Sequence, residues 1–424
     1  MELQLPKGVR DFPPEEKLLR DELVGALKSV FERYGFNPLE TPMFERFDVL
    51  GAKYAGGAEI LKETFRFKDR GGRDLALRYD LTVPLARFVG MNPQLKLPFK
   101  RYAVGRVFRD GPIKLGRYRE FYQCDADVVG SSSMLADAEC VRVALAGFRA
   151  LGIPVTINVN NRKLLEELLA KGGVKKSKAI EAMLVLDKIK KVGLGEVKKE
   201  LKEKGIPEKS VDFIVTLSTQ KGNNNEKIGK VKEFLGKETE GLQELEGLFS
   251  YLEGVEDVEY DPALSRGLTY YTGTVFEGFV QGSTVTSSVC GGGRYDQMVG
   301  ELLGRGELPA VGFSFGLEPI MDVLAERGRE KAKTLTKAYV IPIRNAQECV
   351  PIVERLRDAG VNAEMDLNGR AISKNLDYAN AYSIPYVLIC GPKELEQGKV
   401  KLKVMASGEE SLVTVDEAIE KLNV

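Results

Sequence analysis

The sequence predicts an α/β (α+β) protein of more than one domain, and three observations carry that reading. The chain has 424 residues, more than one hydrophobic core ordinarily organises. Segments with apolar residues at alternate positions are interleaved with segments whose apolar residues recur every three or four. The texture of the chain also changes, at about residue 166, at about 250, and after a short charged linker at 327–335. The domains read from this are a core at 1–165 and 251–326, a helical insertion at 166–250, and a C-terminal α/β domain at 335–424.

Each element has its own justification. Residues 17–34 place Leu18, Leu19, Leu23, Leu27, Val30 and Phe31 on a helical stripe. Thr64-Phe-Arg-Phe-Lys68 and Asp74-Leu-Ala-Leu-Arg78 alternate like paired strands, separated by the turn-forming Arg70-Gly-Gly-Arg73. Residues 81–89 read as helix. Residues 102–109 and 119–129 read as strands joined by a loop at 110–117. In the insertion, 171–209 hold twelve lysines against six acids, and Gly222-Asn-Asn-Asn225 marks a loop. A charge run of this kind is most often a solvated helical face. Strand texture returns over 255–325, where Thr272, Thr274 and Phe276 alternate. Residues 337–343, 346–359, 361–365, 371–383 and 386–390 then alternate strand, helix, strand, helix, strand. That order predicts a mostly parallel core.

Composition excludes several function classes. Lys+Arg and Asp+Glu both number 62, so net charge exerts no global pull towards nucleic acid, and any such binding uses local patches. No apolar run reaches about 18 residues and no leader is read, so a cytoplasmic chain without a membrane span is expected. The five cysteines (Cys124, Cys140, Cys290, Cys349, Cys390) are scattered without a Cys-x-x-Cys, which reads as free thiols rather than zinc ligands. There is no histidine. Catalysis by Ser-His-Asp or Cys-His, and any imidazole base or metal ligand, is therefore excluded.

What remains is a constellation of Arg, carboxylate, Tyr and Gln. Asp80-Leu-Thr82 follows a strand. Arg109 ends another. Along Arg119-Glu-Phe-Tyr-Gln-Cys-Asp-Ala-Asp127, the residues Arg119, Phe121, Gln123, Asp125 and Asp127 share one sheet face. Such polar groups, if buried, need partners, and a polar ligand is a natural one. Arg266-Gly-Leu-Thr-Tyr-Tyr271 sits at a strand mouth, and Cys290-Gly-Gly-Gly-Arg-Tyr-Asp296 reads as a glycine turn beside Arg, Tyr and Asp. Neither a P-loop nor a Rossmann glycine motif is present. Arginines and carboxylates without histidine suit phosphoryl or nucleotidyl transfer, in which a protein mainly positions reactants and stabilises charge.

These segments resemble the histidyl-tRNA synthetases, a class II aminoacyl-tRNA synthetase family. Pro6-Lys-Gly-Val-Arg-Asp-Phe12 resembles the family's opening segment, and Glu40-Thr-Pro42 its motif 1. Phe108-Arg109 through Gln123 resembles motif 2, and Val311-Gly-Phe-Ser-Phe-Gly-Leu-Glu318 motif 3. The Arg266–Tyr271 and Gly292–Asp296 peptides resemble the two peptides peculiar to the family. Asp366-Leu-Asn-Gly-Arg370 and Ile384-Pro-Tyr386 resemble its anticodon-binding domain. The resemblance implies an antiparallel-sheet catalytic domain of class II type with a helical insertion and a C-terminal anticodon-binding domain. It implies ligation of L-histidine to its cognate tRNA through a histidyl-adenylate, with ATP and Mg2+, in a cytoplasmic homodimer.

Carried over by motif position, Asp80, Thr82 and Gln123 hold the amino group of histidine. Asp127 and Tyr271 read the imidazole, beside Tyr270 and Tyr295. Arg109, Arg119 and Arg266 bind ATP, with Arg109 and Arg266 at the reacting phosphate; no protein metal ligand is assigned. Two positions depart from the family. Motif 3 ends in Glu318-Pro319 where Glu-Arg is usual, and Thr269 stands where Asp is common. Asn160-Asn161-Arg162 is a milder departure, at a place where relatives often carry histidine. A catalytically silent paralogue, a regulatory subunit or sensor, is the alternative reading. The absence of histidine from an enzyme that supplies histidyl-tRNA suggests a chain that can be made during histidine starvation.

Overall fold

In the computed structural model, residues 2–53, 61–113, 116–219, 222–265, 270–304, 306–344 and 346–423 are described, with the side chains at 52, 53, 190, 191 and 301–303 set aside. The described strands are β1 Asn37–Pro38, β2 Phe44–Arg46, β3 Arg66–Lys68, β4 Asp74–Leu77, β5 Phe99–Phe108, β6 Glu120–Val129, β7 Val155–Asn161, β8 Val258–Tyr260, β9 Thr274–Val280, β10 Cys290–Arg294 and β11 Ala310–Gly316. Five more follow: β12 Ala338–Pro342, β13 Ala363–Met365, β14 Tyr386–Cys390, β15 Lys399–Val404 and β16 Glu410–Thr414. The chain divides into two units: residues 1–10 with 23–329, and residues 11–22 with 330–424.

The first unit is built on an eight-stranded sheet in the order β1-β5-β6-β11-β10-β9-β7-β8. It is antiparallel from β5 to β7, with parallel strands added at both ends. Period-2 alternation gives its two faces different chemistry. The back face is apolar and aromatic. Phe31, on helix Pro14–Arg33, lies 5.5 Å from the Tyr102 ring and 6.1 Å from Phe315. Phe148, on helix Met134–Ala150, lies 4.9 Å edge-on from Phe315. The front face carries the polar residues described below. A small sheet, β2-β4-β3, lies elsewhere in the unit, and β3 and β4 pair as the alternation predicts.

The glycine-rich Cys290–Arg294 is a strand and not a turn. It pairs with β9 on one side and β11 on the other. Its glycines lack room for side chains: a Cβ on Gly292 would lie 2.3 Å from the Gly312 carbonyl. Here glycine serves close packing between strands, not chain reversal.

The described residues of the 166–250 insertion are mainly helical, as their texture predicts. Leu164, Leu168, Leu186, Val197, Leu201, Ile214, Val231 and Leu245 form a buried core shared by these helices. Part of the lysine excess is paired locally, as in Lys178–Glu181 and Lys188–Glu200, each at 2.8 Å.

The second unit contains a five-stranded sheet in the order β13-β12-β14-β15-β16. Strands β12, β13 and β14 are parallel, as expected. The antiparallel β15 and β16 extend the predicted core. Helices Ala346–Asp358 and Val415–Leu422 bury Cys349, Val353, Leu356, Ala418 and Leu422 together with Val340, Leu388 and Val400.

Candidate active site

The front face of the large sheet is organised around β6. Register places Arg101, Ala103 and Gly105 of β5 opposite Asp127, Asp125 and Gln123. On the other side Gly312, Ser314 and Gly316 of β11 oppose the same three residues. Long polar side chains on β6 are thus flanked mainly by small ones, forming a hollow that the Arg78 guanidinium enters beside Gly105 and Asp127 beside Gly312.

At one end of the hollow, Asp127 is buried. Its Oδ2 lies 2.8 Å from Nη2 of Arg101, itself only 1% exposed. The same Nη2 donates to the Leu81 carbonyl at 3.1 Å. The Tyr295 hydroxyl donates to Asp127 Oδ1. Burial first, and then the Asp127 charge, push the Tyr295 phenol well above its usual range, so it remains a donor. Glycine makes this packing possible: a Cβ on Gly312 would stand 1.9 Å from Asp127 Oδ1. Its register partner Gly293 does the same for the Tyr271 ring, which a Cβ would meet at 2.8 Å. The Tyr270 and Tyr271 rings lie 4.5 Å apart, tilted by 38°, and Tyr270 meets Tyr295 edge-on at 6.5 Å. Tyr270, Tyr271, Tyr295 and Asp127 therefore form one aromatic pocket with a carboxylate at its foot. In the Gly292–Asp296 peptide, Gly293 and Tyr295 meet this pocket. Arg294 instead pairs with the buried Asp137 and with Asp296 Oδ1 at 3.1 Å.

In the middle of the hollow, Gln123 Nε2 donates to Ser314 Oγ at 2.9 Å. Asp80 Oδ1 accepts from the backbone N–H of Thr82 and Val83, at 3.0 and 2.9 Å. This satisfies the first donors of helix Thr82–Met91 and fixes the carboxylate beside the sheet. Asp125 is 3% exposed, and burial pushes its carboxyl up to about 7 against the lowering field of Arg101.

At the other end, Arg109 continues from β5. Its N–H donates to the Arg119 carbonyl at 2.9 Å and its Nε to the Tyr79 carbonyl at 3.2 Å. The guanidinium lies 4.3 Å from the Tyr79 ring centre and 4.9 Å from that of Phe121. Two aromatic faces thus hold a cation with its planar fork preserved. Arg119 pairs with Asp110 at 3.0 Å, and its N–H donates to the Gly8 carbonyl at 2.8 Å, docking the opening segment onto β6. Glu318, 1% exposed, accepts from the Tyr122 N–H at 3.1 Å. Pro319 lies in the first turn of helix Leu317–Glu326, where its missing N–H costs nothing. Arg266 and Thr269 lie outside the described residues.

The structure brings Asp80, Thr82, Arg109, Arg119, Gln123 and Asp127 around one sheet face, with Tyr270, Tyr271 and Tyr295 against Asp127. Asn160 and Asn161 are not part of it. Asn160 Nδ2 donates to the Pro262 and Leu264 carbonyls, and Asn161 caps helix Arg162–Lys171 and reaches Glu244. Arg162, first in that helix, donates from its backbone to the Gly273 carbonyl at 2.8 Å and from Nη1 to the Tyr271 carbonyl at 3.0 Å. The residues that sequence reading missed are Arg101 and Ser314. Their signal was the alternation Arg101, Ala103, Gly105 on one strand and Gly312, Ser314, Gly316 on another, which gains meaning only once register is known.

In the second unit, Asp366-Leu-Asn-Gly-Arg370 forms a turn closed on Asp366, whose oxygens accept from the N–H groups of Asn368 and Arg370. A cavity of about 520 Å³ beside it is lined by Tyr339, Arg357, Glu364, Arg370 and Tyr378 among others.

Comparison with known proteins agrees with this geometry. The family model for histidyl-tRNA synthetase matches residues 8–320, and that for the anticodon binding domain matches residues 337–424. Histidine--tRNA ligase 1 of Bacillus cereus is 43% identical over 424 residues, covering 98% of both chains. Histidine--tRNA ligase of Aeropyrum pernix is 40% identical over 427 residues, covering 98% of this chain and 96% of that one. The crystal structure of histidyl-tRNA synthetase from Nostoc sp. PCC 7120 superposes with a TM-score of 0.88 at 31% identity, covering 100% of this chain and 99% of that one. With three-quarters of its length matched by the family model and relatives similar from end to end, the chain belongs to the histidyl-tRNA synthetase family.

Proposed function

We propose that this chain ligates L-histidine to its tRNA at the expense of ATP. The observation that carries the proposal is the aromatic pocket with Asp127 at its foot. A neutral imidazole offers one N–H donor and one acceptor nitrogen. A buried carboxylate held by Arg101 and Tyr295 is an acceptor for that N–H, a contact that amino acids without a matching donor do not make. In this reading Asp80, Thr82 and Gln123 take the substrate's amino group, and Tyr270 and Tyr271 wall the ring. Arg109, Arg119 and Arg266 take ATP.

The histidine carboxylate attacks the α-phosphorus of ATP, pyrophosphate leaves, and histidyl-adenylate forms. A hydroxyl of the terminal adenosine of tRNA then attacks the activated carbonyl, and AMP leaves. The work of Arg109 and Arg266 is to hold phosphate oxygens and stabilise their charge. Neither step asks for an enzyme imidazole. Among the described residues no group of three or more acidic or cysteine side chains is arranged to hold a metal ion. Magnesium accompanies the ATP phosphates in this proposal. A cytoplasmic homodimer is part of the same reading, as are anticodon contacts from the second unit and acceptor-arm contacts from the lysine-rich insertion.

A silent regulatory paralogue rests only on the Glu318-Pro319 departure. It is not favoured, because curated relatives over nearly the full chain are named as ligases. Histidine-dependent ATP–pyrophosphate exchange tests the proposal: no exchange above background with purified protein would sink it. Arg266→Ala is expected to abolish exchange with an unchanged melting temperature, and near-normal exchange would remove that residue from the mechanism.

A further inference from the structure

Asp125 has no part in the mechanism above, yet it lies at the centre of the hollow. It and Gln123 are separated by one residue on the same strand face, and both are tied to Ser314. The Gln123 amide donates to Ser314 Oγ, which fixes the amide's orientation, while the serine hydroxyl bonds the Asp125 carboxyl. Among the described residues, that leaves Gln123 Oε1 and Asp125 Oδ1 buried and without a hydrogen-bond partner. Two acceptors unmet on one face are expensive unless a ligand supplies donors. Ala103, Gly105, Ser314 and Gly316 flank them, and the Arg78 guanidinium occupies the space beside Gly105.

We propose that Asp125 is a further binding residue for the amino-acid substrate: Asp125 Oδ1 and Gln123 Oε1 together accept from its α-ammonium. This rests on the histidine-activating reading of the site. The charged groups around Asp125 are Arg78 and Asp80 after β4, Arg101 on β5 and Asp127 on its own strand. Burial and the two neighbouring aspartates favour the protonated acid in the empty site, against Arg101. An arriving ammonium reverses that preference. The protonated acid gives its proton to solvent, and a carboxylate–ammonium pair forms. Histidine binding then releases a proton from the enzyme.

Calorimetric titration of the full-length protein with L-histidine, in buffers of different ionisation enthalpy, counts that proton. Repeating it with Asp125→Asn cancels the substrate's own titration. The expected excess of wild type over variant is about one proton at pH 6, fading by pH 8.5, with affinity for histidine at least about tenfold weaker in the variant. Imidazole alone, which lacks the ammonium, is expected to release no excess proton. Equal proton counts for wild type and variant overturn the inference and leave the functional reading standing. An absence of any histidine binding by the wild type overturns both. If the variant does not fold, the wild-type comparison of L-histidinol with imidazole decides instead. Extra release with L-histidinol supports the inference, and equal release overturns it.

Discussion

Replacing Gly312 with alanine perturbs the aromatic pocket without substituting any polar residue. The backbone tolerates the change, since Gly312 is not among the positive-φ glycines. The added methyl is the difficulty. It would lie 1.9 Å from Asp127 Oδ1 and 2.9 Å from the Ala126 carbonyl, where about 3 Å is the closest tolerable approach. The carbonyl belongs to the sheet and cannot yield, so the carboxylate must. Moving it by about 1 Å breaks its alignment with both Tyr295 and Arg101. Each such charged hydrogen bond is worth ~1.5–3 kcal/mol, so ~3–6 kcal/mol of histidine recognition is at stake. The expected loss is ~10²–10⁴-fold in kcat/KM for histidine, measured by ATP–pyrophosphate exchange over a histidine concentration series. Overpacking costs global stability only ~1–3 kcal/mol, so the protein remains folded in a thermal melt. A folded Gly312→Ala protein within threefold of wild type would refute the assignment of Asp127 to the substrate ring.

Tyr295→Phe removes one donor from Asp127 and is expected to raise KM for histidine ~10–100-fold with kcat little changed; steady-state exchange kinetics decide it. Arg109→Lys keeps the charge but loses the fork stacked between Tyr79 and Phe121, and kcat for exchange is expected to fall ~10²-fold. For Asp125 the folded carboxyl, near 7, lies above its ordinary value of 3.8, so the native state binds the extra proton. Stability from this group is therefore present at low pH and is lost as pH rises from about 4 to about 7, by at most ~4 kcal/mol. Asp125→Asn should accordingly melt higher than wild type at pH 8, with the gap closing towards pH 5; a gap that widens on acidification contradicts the sign. Expression of the histidine-free chain is expected to persist under histidine starvation where a variant with several added surface histidines stalls, and equal loss of both would remove the link.

Much of this was legible before coordinates because it rests on local periodicity. The alternation along Arg119–Asp127 placed Gln123, Asp125 and Asp127 on one face, and the helical texture of the insertion is set by its own residues. What escaped depends on register between distant strands. Arg101 reads as an ordinary strand arginine until pairing sets it opposite Asp127. Ser314 is one more serine until it sits across from Asp125. Cys290–Arg294 misled for the opposite reason. Three consecutive glycines signal a turn locally, but the neighbouring strands and the Tyr271 ring occupy the space that side chains would need. The last two strands of the second unit were not read from the sequence; in Lys399-Val-Lys-Leu-Lys-Val404 the alternating lysines disguise a buried Val400 and Leu402.

The helix that opens the insertion starts at Arg162, and its first backbone N–H and its guanidinium are both bonded to carbonyls of the stretch that carries Tyr271. These two bonds join the lobe to the pocket that the proposed function gives to the amino acid. If, as proposed, this pocket holds histidine, any effect of the lobe's ligand on that hold is matched by an equal effect of histidine on the lobe's grip. A histidine affinity measured on the isolated protein is then one setting of a two-ligand system, and the cost of swinging the lobe is borne by a tyrosine's backbone.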